Sequence, residues 1–169
     1  MNFLTISFNN WEGLDMQSIY IRRVMEFVMS NFSKAIYDRY LLVMTDYSLA
    51  IAQQVGANPV ICMTASLLHK LADNASGPFR ANRINPVLRR CGYEAASINK
   101  IMACVTNLLP ENHSQRKSLE ERVVADAYLL TYWFEITGLY DIKFEFDVSE
   151  KIFHSINIEA EGLAEDINL

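Results

Sequence analysis

Apolar residues recur along this chain at the three- and four-residue spacings of amphipathic helices, and no run alternates as a half-buried strand would. The pattern predicts a first helix over about 15–30. Ile19, Val24, Phe27 and Val28 form its buried stripe, and Arg22, Arg23 and Glu26 its wet side. A second runs from about Tyr37 to Val55 and stops at Gly56, which accepts the left-handed backbone that ends many helices. Asn58 and Pro59 supply a cap and a first-turn residue for a third, continuing through Val60, Ile61, Thr64, Leu67, Leu68 and Leu71.

The stretch 74–85 contains Gly77 and Pro78 and predicts a loop. A short helix then covers about 86–91 with Asn85 as cap, and another about 94–108, closed by Pro110. Residues 111–117 read as a polar loop. Ser118 and Glu121 have the spacing of a capping box and open a long helix to about Thr137, ended by Gly138. A last helix is expected over about 148–159. These elements make an all-α domain of about six or seven helices. No repeat, low-complexity tract or linker divides it, so residues 1–169 are expected to form one domain, its two ends packed on the helical body.

Composition narrows the function classes. Hydrophobic residues make up 51% and charged residues 21%, as in ordinary globular domains. The net charge of −5 argues against a nucleic-acid footprint, which needs a basic surface. Arg80, Arg83, Arg89 and Arg90 form either a local basic patch or, as four such charges more often do, a solvated face. Cys62, Cys91 and Cys104 have no paired spacing, and Cys62 and Cys104 lie in apolar runs as small hydrophobes. With no basic leader and no apolar run of spanning length, a cytoplasmic location away from membranes is expected.

Two polar residues interrupt apolar helices. Asp126 lies in a run from Val123 to Phe134 that is apolar around most of the helix, where an ionised carboxylate needs a cation or hydrogen-bond donors. It is either a metal ligand or catalytic carboxylate, or half of a buried ion pair. His69 shares a helix face with Ala65, Ala72 and Asp73, and Asp73 stands one turn on, where it can orient the imidazole. The plain alternative is a core histidine bonded to a backbone carbonyl. His113 and His154 have no partner at ligand spacing and read as surface or rim. Tyr40, Tyr47, Tyr128, Tyr132 and Trp133 line a pocket or fill the core.

In order and spacing, three fragments resemble the HD-domain superfamily of metal-dependent phosphohydrolases, in particular its small bacterial one-domain members. They are Ile51-Ala52-Gln53-Gln54-Val55-Gly56-Ala57-Asn58-Pro59, then Ala65-Ser66-Leu67-Leu68-His69, then Glu121-Arg122-Val123-Val124-Ala125-Asp126-Ala127. The likeness covers about 20–140. It implies a divalent-metal site built from a His, a His-Asp pair and a distal Asp. Carried over by position, Tyr40 stands for the first His and His69 matches the His of the pair. Lys70 replaces its Asp, Asp126 matches the distal Asp, and Tyr128 replaces a further Asp. The histidines that many members carry on a later helix give way to Asn107, Leu108 and Leu109.

Hard dications need several oxygen or imidazole ligands, and an ammonium beside them repels the ion. The resemblance therefore implies a catalytically impaired HD-fold protein without a metal cofactor. It would bind a small phosphate-bearing ligand or a protein partner through Tyr40, His69, Lys70, Asp73, Asp126 and Tyr128. The alternative is an active phosphohydrolase holding Mn, Fe, Ni or Mg through His69 and Asp126, with Asp46, Asp73 or His113 completing the shell, or using His69 as a metal-free acid–base group. Lys70 is further expected to satisfy Asp126 as an ion pair, unless its head snorkels to solvent. Tyr132-Trp133-Phe134 or Phe144-Glu145-Phe146 would suit a homodimer interface.

Overall fold

A computed structural model describes residues 18–72 and 78–137. Six α-helices account for most of them: α1 (Ser18–Asn31), α2 (Leu42–Val55), α3 (Pro59–Leu68), α4 (Pro78–Cys91), α5 (Ala95–Thr106) and α6 (Leu119–Thr137). A helical turn at Lys34–Ile36 and a π-helical turn at Tyr37–Leu41 lead into α2. Tighter 3-10 turns follow α3 at His69–Ala72 and precede α6 at Pro110–Gln115. The fold is all-α, with no strand among the described residues. None of their helices is long and apolar enough to cross a membrane.

The centre is α3. Every residue from Val60 to His69 is buried, because α1, α2, α5 and α6 all pack on it. An all-round apolar sequence suits that position and no amphipathic one. Its start is built from local chemistry. Gly56 takes φ +76° to end α2. Asn58 Oδ1 then accepts from the amides of Val60 and Ile61 at 3.0 and 3.2 Å, and Pro59 occupies the first turn.

The capping box opening α6 forms as the spacing predicts. Ser118 Oγ accepts from the Glu121 amide at 3.2 Å, and Glu121 Oε1 accepts from the Ser118 amide at 3.0 Å. Cys62 and Cys104 are fully buried, and burial pushes the Cys62 thiol up to about 12, beyond the reach of thiolate chemistry near neutrality.

Three expectations change. In α1 the buried stripe is Ile21, Val24 and Val28, while Ile19 is 46% exposed and Phe27 half-buried. The spacing of those three is i, i+3, i+7, so the stripe is rotated from the one read along the chain. Second, α4 starts at Pro78 and Pro86 lies inside it. Ile84, Val87, Leu88 and Cys91 form an i, i+3, i+4, i+7 stripe that is buried across the proline, and this packing overrides the lost backbone bond. Third, the polar stretch before α6 is a 3-10 turn, held by Arg116. Its guanidinium donates to the carbonyls of Asn107, Leu108 and Leu109 at 2.9–3.2 Å. The expected start of the first helix at 15–17, the stop at Gly138, the helix over 148–159 and the Phe144–Phe146 patch lie outside the described residues.

Candidate functional site

At its C-terminal end α3 tightens into the 3-10 turn that carries His69 and Lys70. The narrower turn spaces successive side chains by about 120° instead of about 100°. His69 is 1% exposed, and its Nδ1–H donates to the Ser66 carbonyl at 2.7 Å. That bond places a proton on Nδ1 and orients the ring, as in the plain core-histidine alternative. Asp73, expected in that orienting role, lies outside the described residues.

Tyr40 reaches the same place from the π-helical turn. There the Leu42 amide donates to the Tyr37 carbonyl, five residues back. One extra residue in the turn rotates the side chains before it relative to those after it, a device common at functional sites. The Tyr40 ring lies 5.5 Å from the His69 ring, centroid to centroid, at 39°. From α6, Tyr128 meets His69 edge-on at 5.8 Å and 80°. Tyr132, one turn further, stacks on Tyr128 at 6.4 Å and 12° and is 42% exposed. The Lys70 ammonium sits 4.3 Å from the centroid of the Tyr40 ring, a cation–π contact. A row of rings thus runs from Tyr40, which carries the Lys70 ammonium, through the buried imidazole and Tyr128 to exposed Tyr132.

Asp126 is buried on α6 at 8% exposure, two residues before Tyr128 and so about 200° around the helix from it. Asp46 lies on α2, beyond the π turn that carries Tyr40. Its Oδ2 is buried with no hydrogen-bond partner among the described residues, and burial pushes its carboxyl up to about 6. The Tyr37 and Tyr47 hydroxyls rise to about 12, through burial first and then negative charge, from Asp38 and Asp46 on Tyr37 and from Asp46 on Tyr47. Tyr37 Oη and Ser66 Oγ are also buried with no hydrogen-bond partner among the described residues. His113 is exposed in the 3-10 turn before α6, and His154 lies outside the described residues.

Of the residues singled out from the sequence, Tyr40, His69, Lys70 and Tyr128 come together. Two phenols and an ammonium around one imidazole are poor ligands for a hard dication. Among the described residues no three His, Cys, Asp or Glu side chains gather as a metal shell would need. One contributor has no signal in the sequence: the π turn Tyr37–Leu41, which is one more residue within a helical stretch. Tyr132 is among the aromatics read from the sequence as pocket-lining or core, and its i, i+4 spacing from Tyr128 brings the two rings together. No protein-family profile, curated protein or solved structure matches this chain.

Proposed function

We propose that this chain is a catalytically impaired protein of the HD-domain type, whose former metal position has become a cationic and aromatic site for a small phosphate-bearing ligand. One observation supports the reading above the others: Tyr40, His69 and Tyr128, from three separate helical segments, surround the position the resemblance assigns to metal, with the Lys70 ammonium held against Tyr40. The Lys70 ammonium can hold a phosphate by charge-assisted hydrogen bonds without a dication, and His69, whose Nδ1–H is committed to the Ser66 carbonyl, adds a donor at Nε2 once protonated. Asp126 remains as the buried carboxylate that an ion pair with Lys70 would satisfy.

Metal content and anion binding of the purified chain test this together. The expected result is no stoichiometric Mn, Fe, Ni, Zn or Mg, and binding of inorganic phosphate, followed by chemical shifts of the Tyr40 and Tyr128 rings, that Lys70→Gln weakens about tenfold. Bound metal that His69→Ala releases, with phosphoester turnover lost in the same variant, would establish the enzyme instead. Phosphate binding indifferent to Lys70 would remove the ligand assignment.

A further inference from the structure

The arginines of this chain are not spread evenly. Helices α1 and α4 together hold Arg22, Arg23, Arg80, Arg83, Arg89 and Arg90. They hold one acid, Glu26, and no lysine, although the chain has lysines elsewhere. Six arginines against one glutamate leave +5 on this pair, so the rest of the chain carries −10 to make the overall −5. The two helices pack against each other. Arg23 Nη1 donates to the Cys91 carbonyl at 3.2 Å, which brings the basic start of α1 against the end of α4 that bears Arg89 and Arg90. Arg22, Arg23, Arg83, Arg89 and Arg90 are exposed.

Local roles explain part of this. Arg23 satisfies the last carbonyl of α4. Arg89 and Arg90 stand in its last turn, where a cation suits the helix dipole, and Arg89 Nε also donates to Asn85 Oδ1 at 2.8 Å. Among the described residues no hydrogen bond or ion pair accounts for Arg22 or Arg83. Arg83 and Arg90 are seven residues apart, so they share one exposed stripe about 10 Å long.

We propose that the α1–α4 face docks on the phosphodiester backbone of a duplex nucleic acid, without reading bases. Charge complementarity and residue type carry the choice. A planar guanidinium grips a phosphate with two parallel bonds, whereas lysine serves any diffuse negative field, and this face uses arginine alone. A duplex offers about one negative charge per 1.7 Å of axis, so scattered arginines find partners in any register. An acidic protein surface would have to match their positions one by one. The −5 of the whole chain does not oppose this, because charges farther away than about 8 Å are screened at physiological salt.

Fluorescence anisotropy of a labelled 20-base-pair duplex with the full chain tests the assignment at about 50 and about 200 mM salt. Binding is expected at the lower salt and strong weakening at the higher. The triple variant Arg22→Gln, Arg83→Gln, Arg90→Gln should bind at least tenfold more weakly, with a salt slope shallower by about three. Its thermal unfolding should match that of the unaltered chain, since these side chains are exposed. The control pair Lys100→Gln, Lys117→Gln, exposed elsewhere, should bind as the unaltered chain does. No binding at the lower salt, or equal affinity of the triple variant, overturns the proposal. Displacement of the duplex by polyglutamate at equal charge also overturns it, in favour of an acidic protein surface.

Discussion

The two ends of α3 solve the same problem differently. At the N-terminal end every exposed donor finds a dedicated acceptor: Asn58 takes two amides of α3, Glu120 Oε1 takes the Asn58 amide at 3.1 Å, and Glu121 next to it closes the start of α6. Glu121 accepts from the Lys117 and Ser118 amides, the Ser118 hydroxyl and the Asn107 amide group. Burial alone would push its carboxyl up. The bonds from Asn107, Ser118 and Lys117 outweigh that and hold it below its ordinary 4.5. At the C-terminal end the helix tightens into a 3-10 turn, and a histidine, a lysine and tyrosines from the π turn and α6 converge. There Lys70 meets the face of the Tyr40 ring, and His69 meets two rings and donates to the Ser66 carbonyl. A completed hydrogen-bond set serves stability, whereas a polar cluster built from distant segments at a helix end is where function is placed.

The largest expected effect lies at the capped end. Glu121→Ala removes four hydrogen bonds to a buried, charged acceptor and should cost about 3 kcal/mol in urea unfolding at pH 7. The folded carboxyl sits below its ordinary value, so its contribution is complete above pH 4.5 and is lost as pH falls through the lower folded value. A loss below about 0.5 kcal/mol would erase the contrast between the two ends.

Asp46 on α2 gives the opposite sign. Its folded value is raised from 3.8 to about 6, so the native state holds the proton more tightly. Stability should therefore be greatest below 3.8 and fall as pH rises to about 6, staying lower above it. Asp46→Asn should stabilise the protein by about 2 kcal/mol at pH 7.5 and flatten that decline. Urea titrations at pH 4 and pH 7.5 measure both. An asparagine variant no more stable at the higher pH would mean that the orphaned oxygen costs nothing.

The smallest effect separates two accounts of Lys70. Replacing it with Met keeps the aliphatic stem and removes the charge. Loss of the contact with Tyr40 alone should cost about 0.5–1 kcal/mol. A loss of about 3–5 kcal/mol would be that of a broken buried pair and would assign Lys70 to Asp126 as well.

Much of the capped end is written in consecutive residues. Gly56, Asn58-Pro59 and the Ser118–Glu121 spacing act over three or four positions, and each acts as its local chemistry predicts. The reach from Glu120 to the Asn58 amide joins positions 62 residues apart and has no such signal. The interior proline of α4 was misread because a proline at the first turn and one inside a helix look alike until the flanking stripe is known to be buried.

By itself the sequence determined the helical class, because hydrophobic period and caps act between neighbours in the chain. It also marked His69 and Asp126 as polar residues in apolar surroundings. The tertiary structure decided which rings surround His69 and where the Lys70 charge rests. It also decided that Arg23 of α1 meets the end of α4. Those outcomes depend on helix rotation and on one extra residue in a π turn, and neither leaves a mark on composition or spacing.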